Sequence, residues 1–328
     1  MSKKKILITG GAGFIGSHLS EFLLDQGYNI TIIDNLSTGR LANVKHILKR
    51  VKFINADISK YGNWVKNFKN VKYVFHLAAL ADIVPSIQNP SLYFNANVVG
   101  TKNVTNACIK YNVKNLVYSA SSSCYGVPKK FPTDEDEIIN PKYPYALTKR
   151  MGEEIVLHYG KIYKIKVNSL RLFNVYGTRS RTSGTYGAMF GVFLAQKIKN
   201  KPLTVVGDGK QKRDFTYVSD IVNAFYKCIK YKGNIKIFNV GTGKPVSVNR
   251  IVNLLKCEKV NIPKRPGEPD QTNAKITKIK KELKWKPTVT IEQGIRILID
   301  EIGYWKKAPL WTPKKIKLAT KDWFKYLT

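Results

Sequence analysis

Tyr145 and Lys149 are the pair of side chains in this sequence best suited to moving a proton. Residues four apart lie on the same face of a helix, so the ammonium group of Lys149 can stabilise a phenolate at Tyr145. The pKa of tyrosine, ordinarily about 10, would then fall towards neutral pH, and Tyr145 could accept a proton from a hydroxyl group. Ser121, in the serine-rich segment 119–123, could hydrogen-bond the same hydroxyl. A lone Tyr–Lys pair is also typical of an exposed helix face, so the interpretation depends on the rest of the chain.

A glycine-rich turn follows the first apolar run of the chain. Gly10, Gly13 and Gly16 are spaced three residues apart, directly after the run 6–8, and a helical pattern follows them. Glycines at a strand-to-helix turn let the backbone approach a pyrophosphate, whose charge is stabilised by the N–H groups and dipole of the helix start. Such a pattern alone can be a simple tight loop. With the carboxylates described next, it predicts a dinucleotide site.

Two further apolar runs each end near a carboxylate. Asp34 follows the run 30–33 at the position from which a carboxylate can bind both hydroxyls of an adenosine ribose. A carboxylate there repels a 2′-phosphate, so NAD is favoured over NADP. Asp57 follows the run 51–54 and is placed for an adenine contact. The order of these elements predicts a βαβαβ unit.

Three more strand-like runs, at 73–79, 115–120 and 166–171, end in small or polar residues, and helical patterns separate them. In a doubly wound sheet the carboxyl ends of the strands line one crevice, where ligands bind. The predicted fold class is therefore α/β, with a Rossmann-type doubly wound parallel sheet.

The organisation changes after about Tyr176. Loops become longer, and glycines recur at Gly184, Gly187 and Gly191, and again in the segment 207–209. The segment 238–243 is typical of one more sheet strand and its turn, which implies that the chain crosses back to the first domain. The tail from about Tyr304 is aromatic and lysine-rich, and is expected to pack as a helix or strap.

These changes predict two units. We expect an NAD-binding Rossmann domain over residues 1–175, with a returning segment at about 215–245. Residues 176–214 and 246–328 are expected to form a smaller mixed α/β lobe, with the C-terminal tail, that binds the substrate.

Composition is that of an ordinary globular protein. The 328 residues are 43% hydrophobic, which suffices for one large α/β unit or for two domains sharing a cleft. No stretch approaches the roughly 18 uninterrupted apolar residues of a membrane span, and no signal peptide is indicated. A cytoplasmic location and no membrane partner are expected.

The four cysteines are scattered without CxxC spacing, so neither a disulfide framework nor a metal site is indicated. Buried, reduced thiols are expected at all four positions: Cys108, Cys124, Cys228 and Cys257.

The formal net charge of +34 is extreme, and a basic balance of this size can mark a nucleic-acid-binding protein. Lysine supplies most of it and is spread over the whole chain, whereas arginine occurs at only ten positions. That distribution indicates a global compositional bias, and no specific nucleic-acid partner is expected. A basic nucleic-acid-associated protein that uses the Rossmann fold as a scaffold is the alternative; an intact Ser121, Tyr145 and Lys149 set disfavours it.

With these segments assembled, the sequence resembles the extended short-chain dehydrogenase/reductase family, specifically its nucleotide-sugar epimerases and dehydratases. The resemblance covers essentially the whole chain. Beyond the first domain it rests on four ordered segments: 171–177, 207–215, 238–241 and 265–270.

The resemblance implies a complete set of site residues. Ser121, Tyr145 and Lys149 would be catalytic. The NAD site would comprise Gly10, Gly13, Phe14, Ile15, Gly16, Asp34, Asn35, Asp57, Ile58, Leu77, Ala78, Ala79, Asn97, Tyr145, Lys149 and Phe173. The nucleotide-sugar substrate would contact Ser121, Ser122, Asn174, Arg213, Arg265 and Thr272. Asn174, Arg213 and Arg265 would hold the diphosphate, which suits arginine because guanidinium groups pair with phosphate oxygens.

The serine cluster bears on the reaction. Similar dehydratases carry an acidic pair directly after the catalytic serine or threonine, where this chain has Ser122 and Ser123. Elimination then has no evident acid or base, and the glutamate of the decarboxylase pattern is absent as well. The resemblance therefore implies oxidation and re-reduction at C4, as in UDP-galactose 4-epimerases. Tyr145 would take the proton of the C4 hydroxyl, NAD would take the hydride, and the 4-keto sugar would rotate before the hydride returns.

Two departures keep other activities of the family open. The loop 81–86 lacks a lysine that some galactose epimerases carry, and the segment 184–193 differs from the proline-containing loop usual near the nucleotide base. A UDP-linked substrate is therefore an inference. The alternatives are a 4,6-dehydratase, a 4-reductase or an epimerase acting at another carbon.

The resemblance also addresses substrate range and assembly. Thr272 matches a position that faces the C2 substituent of the sugar, where a large aromatic residue would exclude N-acetylated sugars, so UDP-N-acetylhexosamines are expected to be accepted. The alternative is that Thr272 lies on a surface loop. A homodimer is expected through the helices at about 92–111 and 145–159, although the charge opposes association at low salt.

Overall fold

The computed structural model describes residues 4–180 and 189–327. Its strands are β1 (Lys5–Thr9), β2 (Asn29–Asp34), β3 (Lys52–Asn55), β4 (Tyr73–His76), β5 (Asn115–Ser121), β6 (Lys166–Leu172), β7 (Val175–Tyr176), β8 (Leu203–Val206), β9 (Lys212–Arg213), β10 (Thr216–Tyr217), β11 (Ile235–Val240), β12 (Val246–Ser247) and β13 (Lys259–Ile262). Its α-helices are α1 (Phe14–Asp25), α2 (Ile83–Gln88), α3 (Pro90–Phe94), α4 (Gly100–Lys110), α5 (Pro144–Ile162), α6 (Met189–Ile198), α7 (Val218–Lys230), α8 (Val248–Leu255), α9 (Thr277–Leu283), α10 (Ile291–Asp300), α11 (Pro313–Ala319) and α12 (Lys321–Tyr326).

A seven-stranded sheet with the order β3-β2-β1-β4-β5-β6-β11 forms the first half of the molecule. Every neighbouring pair in it is parallel. The predicted α/β class and doubly wound parallel sheet are confirmed. β11 contains the start of the strand and turn predicted over 238–243, and it forms the edge of the sheet beside β6.

The sheet is buried on both faces because its strands alternate their side chains between two cores. Ile6 and Ile8 of β1 belong to a core that includes residues of α1 and α7, whereas Leu7 between them belongs to a second core with residues of α4 and α5. This period-two alternation is the geometry of a strand. Helices on both faces leave only the sheet's ends open for a ligand.

The second crossover differs from the predicted βαβαβ order. Between β2 and β3 the chain forms two short 3₁₀ helices, Leu41–Asn43 and Lys45–Arg50, rather than an α-helix. The Arg40 N–H and the Asn43 side-chain amide both donate to the Ala12 carbonyl, each at 3.0 Å. These bonds hold the segment against the glycine turn. The second 3₁₀ helix, Lys45–Arg50, then leads almost directly into β3.

The two helices predicted to mediate dimerisation form with different boundaries. The region predicted as one helix, 92–111, is α3 and α4 joined by a π-helical turn, Asn95–Val99. α5 is longer than expected on both sides. Leu92, Phe94 and Leu147 on these helices are exposed.

Outside the seven-stranded sheet, the described chain forms three small two-stranded sheets: β10 with β7, β12 with β9, and β13 with β8. A third core lies here and includes Phe193, Leu203, Ile251 and Trp305. The tail beyond Tyr304 forms α11 and α12, as expected of a helix or strap. Within the described ranges, no helix is both long and apolar enough to cross a bilayer.

The cysteines are free thiols, as the sequence predicted. Cys108, Cys124 and Cys228 are buried, whereas Cys257 is half-buried, contrary to expectation. Cys257 follows the end of α8, where the chain turns at the surface of the lobe.

Gly152 lets α5 approach the sheet closely. A Cβ atom at this position would lie 2.4 Å from the Tyr118 hydroxyl oxygen of β5 and 3.0 Å from the Asn97 carbonyl oxygen. Any side chain here would push α5 away from the strand that it covers.

We expect Gly152→Ala to lower the free energy of unfolding by about 1–3 kcal/mol, because the added methyl group overpacks this contact. Gly303→Ala is the matched control, since a Cβ atom there meets no atom within 4 Å, and it should change stability by less than about 0.5 kcal/mol. Urea denaturation of both variants measures the difference. Equal stabilities would show that α5 does not depend on this contact.

Candidate active site

A cavity of about 450 Å³ opens at the carboxyl ends of β5 and β6. Its lining includes predicted catalytic and substrate residues from both halves of the chain: Ser121, Tyr145, Lys149, Ser122, Asn174, Arg213 and Thr272. Arg265 lines an adjoining cavity of about 320 Å³, which shares Asn174 and Arg213 with the first. The structure thus brings the predicted catalytic residues together with most of the predicted substrate residues.

α5 positions Tyr145 and Lys149. The helix begins at Pro144, whose fixed φ favours the first helical position, and the two residues occupy its first two turns. The Lys149 Nζ atom lies 4.3 Å from the centroid of the Tyr118 ring, and the Tyr118 hydroxyl donates to the Lys149 carbonyl at 3.2 Å. A cation over an aromatic face is stabilised electrostatically. β5 therefore fixes the position of Lys149 through Tyr118.

Burial controls the protonation of both residues. It lowers the pKa of Lys149 to about 7, and the nearby Glu153 carboxylate opposes this fall. The sequence predicted a lowered pKa for Tyr145, but burial raises the pKa of its hydroxyl above the ordinary value. A hydrogen bond with Ser121 acts in the opposite direction. Ser121 is thus a neighbour that favours the phenolate.

Ser121 is held at the end of β5 by the turn that follows it. Its hydroxyl oxygen accepts the Ser123 N–H at 3.2 Å and lies 2.8 Å from the Ser123 hydroxyl oxygen. Ser121 caps the short 3₁₀ helix Ser122–Tyr125 in this way. The side chain is anchored on one side and lines the cavity on the other.

Glu153 and Arg171 support α5, and no role was predicted for either of them from the sequence. The Glu153 carboxylate accepts the Arg171 Nη2–H at 3.0 Å and the Ser169 hydroxyl at 2.6 Å, and both charged side chains are buried. Two signals could have revealed them. Glu153 lies four residues after Lys149 on the same helix face, and Arg171 lies between the apolar residues Leu170 and Leu172 at the carboxyl end of β6.

A second cavity, of about 310 Å³, lies at the carboxyl ends of β1, β2 and β4. Twelve predicted cofactor residues line it: Gly10, Gly13, Phe14, Ile15, Gly16, Asp34, Asn35, Asp57, Ile58, Leu77, Ala78 and Ala79. Gly10 has φ +72°, in the left-handed region, and a Cβ atom on Gly16 would lie 2.1 Å from the Gly10 carbonyl oxygen. Only glycine can form this turn, which leaves the helix start open to a pyrophosphate.

Asp34 lies at the end of β2 in this cavity. Its carboxylate accepts the N–H groups of Ala12 at 2.9 Å and Leu36 at 2.8 Å. Burial raises the pKa of Asp34, and these hydrogen bonds oppose the rise. The carboxylate is held rigidly between the glycine turn and the loop after β2, as binding to ribose hydroxyls requires. The glycine turn and this carboxylate together fit an NAD molecule.

Two other predicted cofactor residues, Asn97 and Phe173, line none of the three cavities described above. The Asn97 side chain accepts the Leu80 N–H at 2.8 Å, and its amide donates to the Leu80 carbonyl and to the Thr148 hydroxyl, each at 3.0 Å. It thereby ties the loop after β4 to α5. Phe173 is buried in the core beside Tyr125. The side chains of both residues are buried and contact other parts of the protein. They therefore support the walls of the cavities from behind.

The lobe contributes the groups on the far side of the catalytic cavity. Arg213 is paired with Glu268 at 3.3 Å. The Thr272 hydroxyl donates to the Asn174 side-chain oxygen at 2.7 Å and accepts the Asp214 N–H at 3.1 Å. Thr272 lines the catalytic cavity, so it does not lie on a distant surface loop. Gly184 and Gly187 of the predicted glycine-rich stretch lie outside the described residues.

Comparison with protein families gives a match over residues 6–241 to the family described as NAD dependent epimerase/dehydratase. Among known proteins, the chain is 37% identical to a putative UDP-glucose 4-epimerase of Methanocaldococcus jannaschii. The match spans 90% of this chain and 97% of that protein.

Solved structures of sugar-nucleotide epimerases superpose closely. A UDP-N-acetylglucosamine 4-epimerase from Methanobrevibacter ruminantium, solved with UDP-N-acetylmuramic acid, matches with a TM-score of 0.85 and 30% identity over 92% of this chain and 100% of that one. A UDP-glucuronic acid 4-epimerase from Bacillus cereus, solved with UDP-glucuronic acid and NAD, matches with a TM-score of 0.85 and 32% identity over 91% and 99%.

The lowered pKa of Lys149 predicts how stability depends on pH. Between pH 7 and 9 the unfolded chain keeps the lysine proton and the folded chain loses it, so stability rises with pH. Relative to Lys149→Met, the cofactor-free wild-type protein should gain about 2 kcal/mol of unfolding free energy over this interval.

Urea denaturation at pH 7 and pH 9 measures this gain. Lys161→Met, an exposed position on the same helix, is the matched control. If the Lys149 and Lys161 variants show the same pH dependence relative to wild type, Lys149 is not the titrating group.

Proposed function

Because the chain belongs to the NAD-dependent epimerase/dehydratase family, we propose that it is a nucleotide-sugar 4-epimerase acting on UDP-hexoses or UDP-N-acetylhexosamines. Its cofactor is NAD. The observation that carries the proposal is the convergence of Ser121, Tyr145 and Lys149 with Asn174 and Arg213 on one cavity. Acid–base residues and phosphate-binding residues then act on the two ends of one ligand.

The chain's own groups supply the proton transfer. Tyr145 accepts the proton of the C4 hydroxyl, and Ser121, which already hydrogen-bonds Tyr145, orients that hydroxyl. Lys149, with a pKa of about 7, stabilises the phenolate when protonated. When bound, NAD supplies the hydride acceptor. Loss of the hydride and the proton would give a 4-keto sugar. Return of the hydride to the opposite face of C4, with return of the proton from Tyr145 to the C4 oxygen, would give the epimer.

The small number of carboxylates in the cavity lining disfavours elimination as the reaction. Among the described residues that line it, Glu268 is the only acidic side chain, and it is ion-paired with Arg213. The positions directly after Ser121 are Ser122 and Ser123, which cannot remove a proton from carbon. Simple oxidation and re-reduction needs no such group, and this supports an epimerase over a dehydratase.

The sugar specificity is proposed from the size of one side chain. Thr272 lines the catalytic cavity and is small, which leaves room for an acetamido group at C2. The solved relatives described above were captured with UDP-N-acetylmuramic acid and with UDP-glucuronic acid, so the fold admits sugars with large or charged substituents. We therefore favour UDP-N-acetylhexosamines among the candidate substrates.

A homodimer through α3, α4 and α5 is part of the proposal. Leu92, Phe94 and Leu147 expose apolar side chains on these helices, and a groove between α3 and α5 runs beside them. Exposed apolar groups that cluster on neighbouring helices favour association. We also propose that the parallel sheet and the lobe are separate NAD-binding and substrate-binding units, with the boundaries given above.

Tyr145→Phe removes the proton acceptor, so we expect turnover of the UDP-sugar to fall by about 10²- to 10⁴-fold while NAD remains bound. Tyr159→Phe, a half-buried tyrosine on the same helix, should stay within a factor of two of wild type. Steady-state kinetics and the NAD content of the purified protein measure both effects. Wild-type turnover by the Tyr145 variant would rule out the mechanism.

Thr272→Tyr should lower kcat/KM for UDP-N-acetylglucosamine at least tenfold more than for UDP-glucose, because the larger ring occupies the space of the acetamido group. Thr272→Val keeps the size of the side chain and removes the hydroxyl that binds Asn174, so it separates loss of space from loss of the hydrogen bond. Both substrates are compared in all three proteins. An unchanged ratio in Thr272→Tyr would show that this residue does not control access.

A further inference from the structure

The C-terminal helix α12 contributes Trp323 to the lining of the catalytic cavity. On one side it packs against α2, and the Gln88 side-chain amide donates to the Asp322 carboxylate at 2.8 Å. On the other side it contacts the loop 265–270, which contains Arg265 and Glu268. α12 therefore connects α2, which follows β4 of the sheet, to the loop 265–270 beside the catalytic cavity.

Trp323 makes the central contacts of α12. Its indole N–H donates to the Pro266 carbonyl at 2.8 Å, and the Arg265 guanidinium lies 5.2 Å from the centroid of its ring. The ring centroid of Tyr143, just before the catalytic helix, is 6.4 Å away. Only 4% of Trp323 is exposed. The indole thus contacts both the backbone and the charged side chain of the same loop.

The position of Trp323 is informative because it lines two cavities. One is the catalytic cavity with Tyr145, and the other is the adjoining cavity, whose walls include Phe190 and Phe215. Asn174, Arg213 and Glu268 also line both. These shared residues lie between the Tyr145 end of the catalytic cavity and the aromatic residues of the adjoining cavity, which suit a flat nucleotide base. The diphosphate that links sugar and base would therefore pass beside them.

We propose that Trp323 is a substrate-positioning residue that holds Arg265 against the diphosphate of the nucleotide sugar. The inference rests on the proposed function, since that function supplies a ligand with a diphosphate. The hydrogen bond to Pro266 fixes the loop backbone, and the ring face orients the Arg265 guanidinium. Preorganised in this way, the arginine needs little reordering when the ligand binds.

The expected effect falls on binding rather than on turnover. A cation–π contact together with a fixed loop can change affinity by about tenfold. The diphosphate is bound equally in the ground state and in the transition state, because it does not react. Loss of Trp323 should therefore raise KM about tenfold and leave kcat within a factor of two.

The test uses Trp323→Leu and Trp323→Phe in the NAD-loaded protein, with Phe324→Leu as the matched control on the same helix. Phe324 is partly exposed and lines neither cavity. Calorimetry gives the Kd of UDP, dTDP and GDP for each protein, and NAD content with melting temperature reports folding. Trp323→Leu should weaken the binding of whichever nucleotide binds wild type by about tenfold. Trp323→Phe should keep the Kd within about threefold of wild type, and Phe324→Leu should match wild type.

A double-mutant cycle tests the route through Arg265. In an Arg265→Ala background, Trp323→Leu should weaken binding by less than twofold, because the group that it orients is gone. Undiminished tenfold loss in that background would overturn the proposal, as would wild-type affinity in Trp323→Leu. Loss of binding by the control variant to the same extent would also overturn it, since the effect would then belong to the helix as a whole.

The nucleotide panel separates this inference from the proposed function. Binding of GDP in place of UDP would refute the UDP-linked substrate, while a tenfold loss in Trp323→Leu would still uphold the role of Trp323. Binding of UDP with no loss in that variant would refute the role of Trp323 alone. Failure of the wild-type protein to bind any of the three would overturn both.

Discussion

The ion pair between Glu153 and Arg171 is the interaction on which the arrangement of the site depends. It joins α5 to β6 within the protein, where both side chains are almost completely buried. Glu153 lies one helical turn after Lys149, and Lys149 lies one turn after Tyr145. A helix is stiff over two turns, so fixing Glu153 against the sheet fixes the rotation of α5 about its axis. That rotation decides whether the two catalytic side chains face the cavity.

Burying two charges is costly unless every polar atom finds a partner. Here the carboxylate also accepts the Ser169 hydroxyl, and the guanidinium donates to the Tyr125 hydroxyl at 2.8 Å and to the Glu135 carbonyl at 2.9 Å. Tyr125 in turn donates to Asn239 of β11 at 2.7 Å. The network runs from the catalytic helix to the returning strand, so the strand that closes the sheet also supports the site.

The sequence predicted the features that depend on local chemistry. The glycine turn, Asp34 and the Tyr145–Lys149 spacing follow from neighbouring residues, and the parallel sheet follows from the alternation of strand-like and helical segments. The contacts of Asn97 could not be predicted in this way, because they join Leu80 to Thr148 across the fold. The pKa of Tyr145 was predicted in the wrong direction, since burial depends on packing that the local sequence does not reveal.

Asp214 explains how Arg213 is held at the cavity that opens at the carboxyl ends of β5 and β6. Its completely buried carboxylate accepts backbone N–H groups from Thr242, Gly243 and Ala274, at 2.6, 2.9 and 2.9 Å. The first two follow β11 of the sheet, and the third belongs to the strand-like segment after Thr272. One carboxylate therefore ties the chain after β11 and the segment after Thr272 together, at the residue next to Arg213. A carboxylate that accepts three main-chain hydrogen bonds is a rigid junction, so the spacing between Arg213 and α5 is set by the sheet itself.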